Sequence, residues 1–346
     1  MGRTKVRVPL FNLTLGREEK KAVQETLNSG WLTSGPRCAE FERLIVQKTG
    51  APYAVALSSA TAGLHLSLVA LDIGRGDEVI VPSYTFAATV SSIIMTGATP
   101  VFCDIDSSTL NLDPVKVDKA VTRKTRAIIS VDIAGRPCDY RALVRICKKY
   151  RLKLVCDAAH SLGASYNKKP IGSFGDATVF SFYATKNVTT GEGGMVVTSR
   201  KALAERIRKL SLHGITVPTQ KRNKAGSWRY DIIEMGYKSN LSDINAALGV
   251  AQTRKLKQFA LNRRRAEKRY FGALRNLTDF IDLPALPKDS ESSWSLFIIK
   301  LKLERLKIGR DRFIEEMKKR GIICGVHFIL FYFVAKHVLN KNVVKK

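Results

Sequence analysis

The chain reads as an α/β protein with a mostly parallel sheet, followed by a smaller α+β region. Three observations predict this. Seven short apolar runs lie between about residues 50 and 200: Ala54–Leu57, Val79–Val81, Pro100–Cys103, Ala127–Val131, Lys153–Cys156, Thr178–Phe182 and Met195–Thr198. Helical periodicity fills several of the gaps between them. From Asp243 onward the pattern becomes predominantly helical.

Each element follows from its own pattern. Thr61–Leu71 carries Leu64, Leu68 and Leu71 on one side, and Tyr140–Tyr150 carries Leu143, Ile146 and Tyr150. Near-continuous apolar strands separated by such helices imply a parallel sheet covered on both faces. Ile244, Ala247, Leu248, Ala251, Leu256 and Phe259 predict one long helix, with a second, basic helix through Arg263–Leu277. Trp294–Leu303 reads as a strand, and Asp311–Arg320 as a helix stopped by Gly321. No repeat or low-complexity linker interrupts the chain.

Composition bounds the function classes. With 346 residues, 45% of them hydrophobic, the chain can bury a large core, and its length suggests two domains or one large domain with a smaller partner. Lys plus Arg is 58 against 30 Asp plus Glu, a net charge of +28. Such an excess favours anionic partners. Its densest runs, Arg263–Arg265 with Lys268 and Arg269, Lys318–Arg320 and Lys345–Lys346, carry no recognition helix, zinc-finger spacing or aromatic RNA-binding run. They read as solvated helix faces, so no specific nucleic-acid partner is expected. Six cysteines show no C-x-x-C pairing and no histidine at metal spacing, which predicts reduced thiols, no metal and a cytoplasmic location. The basic start lacks a signal-peptide core, and the longest apolar run, Ile329–Ala335, is too short to enter a membrane as a span.

The chemistry gathers at strand ends, where ligands bind in open α/β sheets. Ser58-Ser59-Ala60-Thr61-Ala62 ends one strand and opens a helix, so its amides and small side chains suit a phosphate; a plain helix cap is the alternative. Phe86, after the next strand, could cover a planar ring or simply pack in the core. Asp157 ends a buried strand, where a carboxylate needs a partner such as a protonated ring nitrogen, or serves as a cap. His160 follows three residues on. Lys186 sits in the loop Ser181-Phe182-Tyr183-Ala184-Thr185-Lys186-Asn187-Val188-Thr189-Thr190-Gly191-Glu192-Gly193-Gly194. A desolvated lysine there can lose its proton and attack a carbonyl; a solvated loop lysine is the alternative. A phosphate cradle, an aromatic cover, an anionic anchor and an amine nucleophile are together what pyridoxal 5'-phosphate requires of a protein.

These segments resemble the DegT/DnrJ/EryC1/StrS sugar aminotransferases. The resemblance runs from about Gly30 to Phe328 and also includes Gly30-Trp31-Leu32-Thr33-Ser34-Gly35-Pro36, Pro82-Ser83-Tyr84-Thr85-Phe86, Asp157-Ala158-Ala159-His160, His213-Gly214, Gly236 through Ile244, and Gly325-Val326-His327-Phe328. It implies a three-layer fold-type-I architecture, with a seven-stranded large domain over residues 12–245 and a small domain over 246–346. It implies that Lys186 binds pyridoxal phosphate as an imine and serves as the base. Asp157 would pair with the ring nitrogen, Phe86 would stack on the ring, and His160 would lie near its 3-hydroxyl. Ala60, Thr61 and Ser181 would hold the phosphate, with Asn240 reaching it from the partner of a homodimer with shared sites. Thr33, Ser34 and His327 would face substrate. The implied reaction moves an amino group from glutamate to a keto-sugar nucleotide, with wording most like enzymes for 4-keto sugars of the UDP-4-amino-4-deoxy-L-arabinose type.

The chain departs from the family's pattern in three places. Asp132 stands where the family often has His, which predicts altered local charge and substrate choice. Ser295 stands near another usual His. After Phe328 the expected turn and final helix give way to an apolar run and a basic end, which predicts a chain truncated or altered beyond that point. A catalytically impaired paralogue is therefore the rival reading, whereas Lys186 argues against a dehydratase, which typically has His there.

Overall fold

The computed structural model describes residues 6–217 and 228–328. Seven strands form one sheet: β1 (Tyr53–Leu57), β2 (Glu78–Pro82), β3 (Thr99–Cys103), β4 (Thr125–Val131), β5 (Lys153–Asp157), β6 (Ala177–Ser181) and β7 (Gly194–Thr198). Their spatial order is β1-β7-β6-β5-β4-β2-β3. β7 runs antiparallel to both neighbours, and the other pairs are parallel. All seven apolar runs of the sequence are therefore strands of a single, mostly parallel sheet.

Alternate residues of the strands feed two cores, as the two-residue period of a strand requires. Ala54, Ala56, Ile80, Ile128, Leu154 and Phe180 face one side. There they meet α2 (Pro36–Thr49) through Phe41 and Ile45, α6 (Tyr140–Tyr150) through Leu143, and α8 (Asp243–Arg254) through Val250. Val55, Leu57, Val79, Val81, Ile129 and Val179 face the other. They meet α3 (Ala60–Ala70), α4 (Ala87–Met95) and α7 (Lys201–Leu210) through Leu64, Val90 and Ile207. The result is a three-layer sandwich. α1 (Arg17–Asn28) packs beside α8, and α5 (Pro114–Ala120) joins the first core through Val117.

Local chemistry sets the helix starts. Ser59 Oγ accepts the Ala62 amide at 3.1 Å and caps α3. Asp139 caps α6 through the Ala142 amide at 3.1 Å. The first amides of α2 are satisfied from across the sequence: buried Asp243 accepts from Gly35 at 2.8 Å, Cys38 at 2.9 Å and Arg37 at 3.0 Å. One carboxylate thereby ties the start of α8 to the start of α2.

Two expectations are corrected. The long helix from Ile244 does not run through Phe259; it breaks at Lys255, and α9 (Leu256–Leu274) is continuous through Arg263. Lys255 is held by Glu18 at 2.9 Å and Glu19 at 2.8 Å on α1, and its amide closes a tight turn onto Gln252 at 3.0 Å. Trp294–Leu303 is not one strand either. Only Lys300–Leu301 pairs, with Ile281–Asp282. The amides of Ser293 and Leu296 donate instead to Gly135 and Ala134, at 3.0 and 3.5 Å, which pins the segment to the turn at the carboxyl end of β4, a central strand. The helix expected at Asp311–Arg320 is present as α10 (Arg310–Lys319), with Gly321 beyond it at φ +78°. All six cysteines are free, with Cys103 and Cys156 buried in strands. Among the described residues no helix is long and apolar enough to cross a membrane. The expected alteration after Phe328 falls on residues 329–346, outside the described ones.

Candidate active site

The candidate residues converge at the carboxyl end of the sheet. Strand register brings the cradle together: Gly194 of β7 pairs with Leu57 on one side and Ser181 on the other. A Cβ on Gly194 would lie 2.3 Å from the Ser59 carbonyl carbon and 2.4 Å from the Ala60 nitrogen, so only glycine lets α3 start this close. Ser181 thus stands beside the amides of Ala60 and Thr61, which occupy the first helical positions and have no partner within the helix ladder. A sulfate-sized anion would meet donors and a helix's positive end there.

Asp157 is the last residue of β5 and is buried. Its Oδ2 accepts from Thr89 Oγ1 at 2.8 Å and its Oδ1 from the Ala159 amide at 3.2 Å. Thr89 in turn shares a 2.8 Å hydrogen bond with Thr85. Burial pushes the carboxyl up from the usual range; Thr89, the Ala159 amide and the Lys186 ammonium pull it back. The carboxylate is desolvated and has accepting capacity left, which suits a cationic N–H.

Lys186 lies in a wound loop. Its amide donates to Tyr183 at 2.9 Å, Asn187 Nδ2 to Leu162 at 3.2 Å, and Asn245 Nδ2 to Thr190 at 2.7 Å. Phe182, fully buried and 4.7 Å edge-on from Phe41, fixes the loop's base in the core. Burial brings the Lys186 ammonium down to about 8, against the opposing pull of Asp157. His160 is driven well below its ordinary value by burial, Lys186 and His327. His327 is lowered by burial and then Lys186. These mutual influences place Lys186, Asp157, His160 and His327 in one site. At neutral pH both imidazoles are neutral, and Lys186 exchanges its proton readily.

Phe86 stands at the start of α4, 60% exposed, with its ring 5.8 Å from Phe328. It is an exposed ring rather than a core aromatic. Thr33, Ser34 and Asn240 form a second group beside the end of β1, where Asn240 bridges to Leu57. Ser34 Oγ donates to Leu241 at 2.5 Å and accepts from Asn240 Nδ2 at 2.8 Å, while Asn240 Oδ1 accepts from Lys238. Thr33 is exposed beside them. Among the described residues no hydrogen bond or ion pair links this group to Lys186. Motif reading gave no role to Thr89, which a lone threonine on an apolar helix does not advertise, nor to Tyr84, whose hydroxyl donates to the His327 carbonyl. It also missed Arg263, whose Nη2 donates to the Asn187 carbonyl at 3.4 Å behind the lysine loop.

Asp132 contradicts the expectation of a role in substrate choice. It is 1% exposed and points into the protein, with Tyr140, Ser161 and the Cys138 amide bonded to it.

The model of the DegT/DnrJ/EryC1/StrS aminotransferase family matches residues 14–342, almost the whole chain and past Phe328. This chain belongs to that family. It is 43% identical over 317 residues to the spore coat polysaccharide biosynthesis protein SpsC of Bacillus subtilis, covering 91% of this chain and 81% of SpsC. Its fold matches Spr1654 of Streptococcus pneumoniae in the PLP form with TM-score 0.88 and 36% identity, over 96% of this chain and 88% of that one. PseC of Helicobacter pylori, an aminotransferase involved in the biosynthesis of pseudoaminic acid, matches with TM-score 0.89 and 30% identity, over 98% and 89%. The protein is thus a pyridoxal phosphate-dependent aminotransferase. The residues present fit that cofactor: a cradle that Gly194 keeps open, a buried carboxylate with spare acceptors, and a lysine able to shed its proton.

Proposed function

We propose that this aminotransferase moves an amino group from glutamate to a keto-sugar carried on a nucleoside diphosphate, the keto group lying at C4 of a 6-deoxy sugar or a pentose. The observation that carries this reading is the placement of Lys186. Its amine is desolvated, which brings it down to about 8, and it lies close enough to Asp157, His160 and His327 to act on each electrostatically. A catalytically impaired paralogue would have no need to keep that arrangement.

When bound, the cofactor supplies the carbonyl and the electron-accepting ring that amino transfer needs. The protein's own residues do the rest. Ala60 and Thr61 hold the phosphate with their amides and Ser181 with its hydroxyl. Asp157, steadied by Thr89, accepts the hydrogen bond of a protonated ring nitrogen and keeps it protonated. Phe86 would cover the ring and exclude water from one face. His160, neutral, would stand near the ring's hydroxyl. Lys186 Nζ takes a proton from substrate carbon and returns it one position along, which a lysine titrating near pH 8 does far better than an ordinary one. His327 faces substrate with its carbonyl fixed by Tyr84.

The group of Thr33, Ser34 and Asn240 is assigned to the partner's site in a homodimer, Asn240 toward the phosphate and Thr33 and Ser34 toward substrate. The large domain is taken as residues 12–245 and the small one as 246–346. Six free cysteines fit a reducing compartment such as the cytoplasm. The name of SpsC and the role of PseC support a sugar substrate, and the net charge of +28 suits its diphosphate. The test is a panel of 4-keto and 3-keto nucleotide sugars with glutamate. Formation of 2-oxoglutarate and an amino sugar with a 4-keto member supports the reading; activity confined to 3-keto members, or to free keto acids, overturns its substrate assignment.

A further inference from the structure

We propose that Asp132 is a positioning residue for the cofactor anchor: its side chain fixes the turn 157–161, which carries both Asp157 and His160. Four bonds carry the idea. The Asp132 amide donates to the Asp157 carbonyl at 3.1 Å, which continues the β4–β5 register by one residue. Its Oδ2 accepts from Ser161 Oγ at 2.7 Å, at the far end of the turn. Its Oδ1 accepts from the Cys138 amide and from Tyr140 Oη, both at 2.9 Å. The backbone amide of Asp132 therefore holds the start of the turn, and its side chain ties the end of the turn to the start of α6.

The environment explains why a carboxylate does this. Asp132 is 1% exposed, and Ser161, Cys138 and Tyr140 are buried around it, so a small acceptor must serve three donors at once. Tyr140 is itself clamped, its ring stacked 4.6 Å on Phe174. No cation among the described residues pairs with Asp132. Burial pushes it up to about 6, and its hydrogen bonds to Ser161, the Cys138 amide and Tyr140 pull it back. A buried carboxylate without a cation is costly, and here its hydrogen bonds to Ser161, Tyr140 and the Cys138 amide offset that cost. The turn it grips begins with the carboxylate that holds the ring nitrogen.

The experiment compares wild type with Asp132→Asn, Asp132→Ala and Ser161→Ala as full chains. Three quantities are read: melting temperature, the pyridoxal phosphate dissociation constant from fluorescence quenching, and the pH midpoint of the bound cofactor's visible absorption. A lost anchor-orienting contact weakens the cofactor by about tenfold, the lower end of the range for outer-shell partners at metal centres. Ser161→Ala removes the far bond alone and is expected to weaken binding and move the midpoint with little change in melting. Asp132→Asn keeps one acceptor and lies between wild type and Asp132→Ala. The proposal is overturned if folded Ser161→Ala and Asp132→Asn keep both the wild-type dissociation constant and the wild-type midpoint, even where melting falls. Should Asp132→Ala fail to fold, those two variants still decide. Wild type that binds no pyridoxal phosphate would fail the cofactor reading instead, a different outcome from wild-type binding with unaffected variants.

Discussion

Lys186 differs from the many other lysines of this chain in where its ammonium is kept. Burial lowers it from 10.5 to about 8, so at pH 8 about half of it is neutral, where an ordinary lysine is almost wholly protonated. The first prediction follows. Trapping of pyridoxal phosphate on apoprotein by borohydride is expected to rise with pH around a midpoint near 8 and to vanish in Lys186→Ala; a midpoint near 10.5 would mean a solvated lysine. Asp157 gives a second. The Thr89 hydroxyl holds the carboxyl down, so removing it raises the pH at which Asp157 ionises. Thr89→Val is expected to weaken cofactor binding as pH falls, with the loss setting in at higher pH than in wild type. An unsatisfied buried acceptor costs about 1–3 kcal/mol, and a binding titration across pH resolves that. Asp157 and Lys186 were legible because each stands where a strand pattern ends in a polar residue. Thr89, Ser161 and Arg263 were not, because their meaning comes from contacts 29 to 76 residues away that no local pattern encodes.

At the scale of elements, all seven strands of the large sheet were legible, because strands buried on both faces read as short apolar runs. The helix break at Lys255 was hidden. Arg254-Lys255-Leu256 contains no glycine or proline, and the break comes from a lysine held by α1. Trp294–Leu303 misled for the opposite reason: Leu296 and Ile298 pack against the carboxyl end of β4 and the turn after it, while its amides bond that turn rather than a strand. The cradle rests on element contact too. Gly194→Ala places a methyl against the Ser59 and Ala60 backbone, which cannot yield as a side-chain tip can. The expected cost is about 1–3 kcal/mol of stability by chemical denaturation, as for other overpacked sites, together with a marked loss of phosphate affinity. Wild-type affinity for both pyridoxal phosphate and free phosphate would show that α3 does not form the cradle.

For the whole molecule, the single chain leaves a feature that a second copy would explain. Trp228, Ile232, Ile233 and Met235 are 78%, 61%, 55% and 89% exposed, an apolar run that a monomer seldom shows. It leads into Lys238 and Asn240, which bridges to the end of β1 beside the cradle. A homodimer is expected by sedimentation. Met235→Asp with Ile233→Asp is expected to yield monomers that release pyridoxal phosphate readily, and a monomeric wild type that retains the cofactor would refute shared sites. The basic surface fits an anionic substrate. It enters as a long-range field rather than as a site, so activity should fall with ionic strength chiefly through KM.

The most direct measurement is the absorption spectrum of the purified protein with pyridoxal phosphate, before and after glutamate, with Lys186→Ala beside it. The account predicts a visible band that needs Lys186 and disappears on adding glutamate as an equivalent of 2-oxoglutarate forms. A band that forms with Lys186 yet is unchanged by glutamate would contradict the claim that this site takes its amino group from that donor.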